Sequence, residues 1–268
     1  MSTTRAVVLA RGLGTRMREA DPDARLSEEQ QRAADAGLKP MMRVNGRPFL
    51  DYVLSALADA GLTEVALVVA PDHEAVRQYY AAIAPPSRIR LDYVVQDEPR
   101  GTANALLAAE PWTAGEMFLA LNADNLYPAA VLADLARLAG PGLPAFERDD
   151  LVRSGNIPAE RITSFALIEV DDDGYLTGIV EKPTVDRRKD RMLVSMNCWH
   201  FDARMFAACR DVPRSVRGEF ELPEAVGLAI ARGVRFRALA ARGAVLDLSR
   251  RADAAEVERR LTGIVPNP

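Results

Sequence analysis

The sequence predicts an α/β fold, a Rossmann-like mostly parallel sheet flanked by helices and followed by a smaller β-rich part. Three observations carry that prediction. Apolar runs alternate with amphipathic stretches through the first half of the chain, the pattern of strands joined by crossover helices. The first run, Ala6-Val7-Val8-Leu9-Ala10, leads directly into Arg11-Gly12-Leu13-Gly14-Thr15-Arg16, a glycine-bearing loop at a strand's carboxyl end. Apolar residues make up 49% of the 268, enough for one large core or two closely joined ones and too many for a disordered chain.

Taken in order, further strands are expected at 64–70, 89–95 and 117–121, with helices at 48–60, 72–82 and 101–109 between them. Right-handed crossovers bring the loops after these strands to one edge of the sheet, where such sheets hold their ligands. The 12–16 loop falls at that edge, and so does Asn122-Ala123-Asp124-Asn125. Residues 18–36 interrupt the alternation. They are charged and alanine-rich, with Ser27-Glu28-Glu29 as a helix start, and read as a surface insertion. Residues 140–158 scatter Pro and Gly and are expected as loop. Runs at 164–170 and 175–180 flank Asp171-Asp172-Asp173-Gly174, a hairpin signal whose acids read as turn chemistry rather than a metal site. A strand at 192–201, a helix at 224–232, a strand at 234–239 and a helix at 252–261 complete the chain.

Composition narrows the function. Thirty-four basic and 38 acidic residues give a net charge of −4, so no broad basic field invites nucleic acid. Cys198, Cys209, His73 and His200 show no metal-ligand spacing and read as structural, in keeping with a reducing, cytoplasmic setting. No run reaches the roughly 18 apolar residues that span a bilayer, and no signal-peptide pattern opens the chain.

The glycine loop supplies the first chemistry. Without a Cβ, its backbone N–H groups can approach an anion closely, and Arg16 adds a planar cationic fork suited to phosphate. The spacing lacks the third glycine of a dinucleotide fingerprint and the Gly-Lys-Ser/Thr of a P-loop, so by itself it is also compatible with a tight turn. A nicotinamide-dependent oxidoreductase would need an acid about 20 residues on, at the end of a second strand. Asp35 has that spacing but sits in a helical stretch.

Several segments line up in one order: 9–16, Lys39-Pro40-Met41, Gln96-Asp97-Glu98-Pro99-Arg100-Gly101-Thr102-Ala103, Asn122-Ala123-Asp124-Asn125, Glu181-Lys182-Pro183, Met196-Asn197, Gly218-Glu219-Phe220-Glu221-Leu222 and Asp247. From about residue 5 to about 250 this set resembles the sugar-1-phosphate nucleotidylyltransferases. The resemblance implies a GT-A-like nucleotidyltransferase domain over 1–250. Its nucleotide part would span about 1–140 and its sugar part about 141–250, with an insertion at 18–37 and a C-terminal helix and tail at 251–268. It implies an enzyme that joins a nucleoside triphosphate, UTP or dTTP being favoured, to a sugar 1-phosphate and releases pyrophosphate. The alternative is an inactive relative that only binds nucleotide sugar.

The implied roles follow the motifs. Arg16, Lys39 and Lys182 would handle phosphate charge. Leu9, Ala10, Gly12, Gly14, Thr15, Gln96, Gly101 and Thr102 would contact the nucleotide, the Gln96 amide offering both a donor and an acceptor to a uracil or thymine edge. Ala166, Glu181 and Asn197 would face the sugar. Asp124 and Asp247 would hold a magnesium ion (Mg2+), which prefers few carboxylates together with water and substrate phosphates. Members of this fold often pair, so a homo-oligomer is an implied assembly. The chain departs from the pattern at Arg11, where the family usually has Ala or Gly, and at Asn122, where Gly usually precedes the Asp. It departs again at Ala166, which replaces a common Gly, and at Leu248-Ser249, which follows Asp247 in place of a small apolar residue and glycine.

Overall fold

Val7 and Val8 are neighbours in sequence, both fully buried, and belong to two different core clusters. Successive strand residues point to opposite faces, so helices must cover both sides of this strand. That is why its sequence reads as a continuous apolar run rather than an alternating one. The computed structural model describes residues 2–22, 24–180 and 192–268. Strand β1 (Arg5–Leu9) lies centrally. A small ladder of β2 (Arg43–Val44) and β3 (Arg47–Pro48) follows, then β4 (Glu64–Val69), β5 (Arg90–Val95) and β6 (Phe118–Asn122). β1 pairs in parallel with β4 and β6, and β4 with β5. The expected parallel half is therefore present, with helices Phe49–Asp59 and Thr102–Ala108 as crossovers.

The second half continues the same sheet. β7 (Asn125–Leu126) is followed by β8 (Gly142–Glu147), β9 (Ala166–Val170), β10 (Leu176–Val180), β11 (Leu193–Ser195), β12 (Cys198–Phe201), β13 (Arg237–Ala241) and β14 (Leu246–Asp247). β12 runs antiparallel to β6 and so joins the halves. The strand order β10-β9-β11-β8-β12-β6-β1-β4-β5, with β13 on β8, gives a mixed ten-stranded sheet. The expected hairpin at 171–174 joins β9 and β10. Leu176 N–H donates to Phe236 O just ahead of β13, so this half of the sheet curls toward itself.

Three sequence expectations are corrected. Residues 140–158 are not loop: β8 and the helix Arg148–Ser154 lie there. Gly142 and Pro144 read as turn punctuation, but a Cβ on Gly142 would sit 2.6 Å from Arg237 O. The glycine thus serves close strand approach, and tertiary pairing overrides local propensity. The strand expected at 192–201 is broken at Asn197, whose φ of 59° is left-handed. Lastly, β13 begins three residues later than expected, at Arg237.

The 18–36 segment carries the expected helix, Glu28–Ala36, opened by a capping box between Ser27 and Gln30. It is fastened down at both ends. Gly14 (φ 64°) lies so near Gly37 that a Cβ there would meet Gly37 O at 2.7 Å. Arg251 donates to Met17 O (2.8 Å) and pairs with Asp35 (2.7 Å), tying the insertion to the turn that precedes the C-terminal helix Asp253–Arg260.

In the first turn of the crossover helix Phe49–Asp59, Asp51 is fully buried and accepts from Arg47 and from the hydroxyls of Tyr79 (3.0 Å) and Tyr80 (2.9 Å). Asp51→Ala leaves two buried hydroxyls without an acceptor. It should cost about 3 kcal/mol of folding stability, read as a lower urea midpoint with an unchanged slope. A midpoint equal to wild type would refute that role.

Candidate active site

The loops after β1, β5 and β6 do converge. They line a cleft of about 320 Å³. Among the described residues, every sequence-predicted site residue except Ala166 contributes to its wall: Leu9, Ala10, Gly12, Gly14, Thr15, Arg16, Lys39, Gln96, Gly101, Thr102, Asp124, Asn197 and Asp247. Glu181 and Lys182 lie outside the described residues. A larger hollow of about 640 Å³ elsewhere, walled by Glu147, Arg153 and Arg242 among others, holds none of these residues.

Sequence and local structure explain the glycine loop. Leu9 and Ala10 end the buried strand and commit their backbones to it: Ala10 N–H donates to Val68 O, and Leu9 O accepts from Ala123 N–H. Gly12 faces open space, with nothing within 4 Å of where a Cβ would stand, so a ligand can come close to its backbone. Gly14 instead serves packing against Gly37. Thr15 opens the short helix Thr15–Arg18. Arg16 is exposed on the cleft wall, and no acidic residue among those described pairs with it. A cation with no counter-charge among the described residues is available to an incoming anion.

Gln96 and the 97–102 loop are more committed than the sequence suggested. The Gln96 amide nitrogen donates to Gly101 O (3.2 Å) and Asn104 Oδ1 (2.8 Å). Its donor function is thus spent inside the protein, and the carbonyl oxygen is what remains for the cleft. Gly101 has φ 112°, and a Cβ there would stand 2.5 Å from Phe220 O. Thr102 Oγ1 accepts from Leu222 N–H (2.9 Å). Gly101 and Thr102 therefore first serve to zip this loop to segment 218–222.

The two carboxylates sit beside the same two-stranded ladder. Asp124 precedes β7, Asp247 ends β14, and Leu248 N–H donates to Asp124 O (2.9 Å). Lys39, brought back by the turn after the insertion, pairs with Asp124 at 3.0 Å. Asp247 is almost wholly buried and accepts from Arg161, from Asn125 Nδ2 (2.9 Å) and from Ser249 Oγ (2.8 Å). Burial first, and the Asp124 charge second, push its carboxyl above the usual range, and Arg161 opposes the rise. Two carboxylates close enough to repel across a cleft are a donor set that a divalent cation satisfies, with substrate phosphates and water as further ligands. Among the described residues no third carboxylate, His or Cys joins them.

Asn197, at the break between β11 and β12, also lines the cleft. Its Oδ1 is buried without a hydrogen-bond partner, an orphan of the kind that calls for an explanation. Tyr127 donates its hydroxyl to Met196 O and braces this break. Ala166 is fully buried in β9 and pairs with Ser195, while Ser164 and Phe165 just before it are on the wall. Cys198 and Cys209 are buried and free, and His200 bridges Gly140 O and Thr3 Oγ1, so their structural reading stands.

Sequence reasoning missed two cations. Arg217, paired with buried Glu221, lines the cleft; its signal was its place directly before the Gly218–Leu222 motif. Arg161 sits behind Asp247 and also pairs with Asp253 at 2.5 Å. A single Arg in a polar stretch gave no signal.

A mixed α/β sheet whose strand ends carry an open glycine loop, an arginine with no acidic partner among the described residues, and two carboxylates fits a nucleotidyltransferase architecture. The comparisons agree. Residues 5–248 match the family described as nucleotidyl transferase, and the chain belongs to that family. It is 30% identical over 260 residues to UTP–glucose-1-phosphate uridylyltransferase AglF of Haloferax volcanii, covering 96% of each chain. It is 30% identical over 268 residues to glucose-1-phosphate thymidylyltransferase of Streptomyces antibioticus, a match that takes in 95% of this chain and 65% of that one. The chain thus spans just under two thirds of the Streptomyces protein. In fold it is similar to a UDP-glucose pyrophosphorylase solved with UDP-glucose (TM-score 0.74, 16% identity, 97% and 98% coverage).

Proposed function

We propose that this protein joins UTP or dTTP to a sugar 1-phosphate, forming a nucleotide sugar and releasing pyrophosphate. One observation carries the proposal: a single cleft gathers the open glycine loop, Arg16, Gln96, Asp124 and Asp247. The nucleotide part would be about 1–140 and the sugar part about 141–250.

In the proposed reaction an oxygen of the sugar phosphate attacks the α-phosphorus in line. The bond from that phosphorus to the α,β-bridging oxygen breaks, and pyrophosphate carries away the electron pair. Two polyanions must meet, so the protein's task is positioning and charge stabilisation. Backbone amides around Gly12 receive the triphosphate. Arg16 and Lys39 draw on the β- and γ-phosphates as charge accumulates there. Lys182, by its Glu-Lys-Pro motif, is assigned to the sugar phosphate. The orphan Asn197 Oδ1 would accept from a sugar hydroxyl, with Glu181 assigned beside it. Asp124 and Asp247 are the residues that would hold a divalent ion, proposed as Mg2+. Bound there, the ion would make the α-phosphate more electrophilic. The Gln96 carbonyl supports a uracil or thymine, whose N3–H is a donor, over cytosine, whose N3 is an acceptor.

No helix among the described residues is long and apolar enough to cross a membrane. The free, buried cysteines support a cytoplasmic setting.

The test is pyrophosphate release from each of five nucleoside triphosphates with a panel of hexose 1-phosphates and Mg2+. Release with UTP or dTTP is expected. No release from any pair would defeat the proposal.

A further inference from the structure

Arg11 stands where the family usually carries Ala or Gly, and its side chain is not idle. Its Nε donates to Gln96 O at 3.0 Å and its Nη2 to Asp97 O at 3.1 Å. It reaches from the end of β1, past the parallel strand β4, to the loop after β5. A planar guanidinium holding two successive carbonyls fixes backbone direction in a way a flexible ammonium does not. The backbone so fixed is that of Gln96, whose amide nitrogen is already claimed by Gly101 and Asn104. Arg11, Gln96, Gly101 and the glycine loop all line the cleft.

We propose that Arg11 is a positioning residue for nucleobase selection: by clamping the Gln96 and Asp97 carbonyls it holds the Gln96 amide with its carbonyl oxygen toward the cleft, so that the site takes a base presenting an N–H there. The proposal rests on the nucleotide reading of this cleft. Uracil and thymine supply the N–H; cytosine in the same pose sets lone pair against lone pair. Without the clamp the loop relaxes, and Gln96 can turn to offer either end of its amide. Selection between bases then falls, apart from any change in phosphate affinity. An Arg11 that instead gripped phosphate would weaken every nucleotide alike.

Wild type, Arg11→Met and Arg11→Lys are compared by calorimetry with UDP and CDP in the presence of Mg2+, with a thermal melt on each. Steady-state kinetics with UTP and CTP follow. The expected result is a UDP-over-CDP preference in wild type that shrinks about tenfold or more in Arg11→Met. In turnover the loss should fall on KM for UTP rather than on kcat. Arg11→Lys, which keeps the charge but not the fork, should recover only part of the preference. Equal weakening of UDP and CDP, full recovery by lysine, or an unchanged preference in Arg11→Met would each overturn the proposal. Should Arg11→Met fail to fold, Arg11→Lys decides alone, by the loss or retention of preference. The binding arm does not need turnover. A wild type that binds UDP selectively yet releases no pyrophosphate defeats the enzyme reading, and the Arg11 comparison still reads out.

Discussion

Arg16→Ala is expected to lower kcat by about 10²-fold or more, the scale on which a donor aimed at developing transition-state charge is felt. Arg16 is exposed on the cleft wall and has no acidic partner among the described residues, so its removal should leave the melting temperature unchanged. On the proposed reaction the deficit would come from charge that builds on the departing pyrophosphate, and it should therefore appear in kcat and not only in KM. Arg16→Lys should recover part of the rate, since a point charge replaces a fork. Steady-state pyrophosphate release with a thermal melt of each variant checks this. Near-normal kcat in Arg16→Ala would remove the residue from the chemistry.

Asp124→Asn is expected to be at least as damaging, by about 10² to 10³ in kcat, a few kcal/mol of barrier. The substitution keeps the shape of the side chain. It deletes one of the two carboxylates assigned to the cation and leaves Lys39, now 3.0 Å from Asp124, without its counter-charge. The Mg2+ concentration needed for half-maximal rate should rise in parallel, which a purely structural role for Asp124 would not produce. Calorimetric titration of Mg2+ into the protein with a nonhydrolysable triphosphate provides a readout free of turnover. Wild-type Mg2+ dependence in the Asn variant would show that Asp124 serves another purpose.

The half of the fold built on β1, β4, β5 and β6 was legible because its strands and crossovers differ in period and are separated by short loops. Its glycine loop and Asp124 fell at strand ends, where topology alone locates a ligand. The second half was harder to read. Gly142 and Pro144 carry the marks of a turn, yet β8 pairs with β11, β12 and β13 around them. No window of local sequence contains those partners. The break at Asn197 was hidden for a similar reason: Met192 to Phe201 is apolar enough to read as one strand, and only φ at Asn197 divides it. Within the site, residue types were legible and their commitments were not. Gln96 was read as offering a donor and an acceptor, but Gly101 and Asn104 take the donor. Asp247 was read as a magnesium ligand, with no sign in the sequence that Arg161, Asn125 and Ser249 all engage it. Arg161 comes from a 3-10 turn, Ala159–Ser164, far from Asp247 in sequence, and only the folded chain brings the two together.

A crystal structure with a nonhydrolysable dTTP or UTP analogue and Mg2+ bears most directly on the central claim. The expected density runs from a base against Gln96 to a triphosphate over residues 10–16, with the Arg16 guanidinium on its terminal phosphates. A nucleotide seated instead in the hollow beside Glu147 and Arg242, with the glycine loop empty, would contradict it.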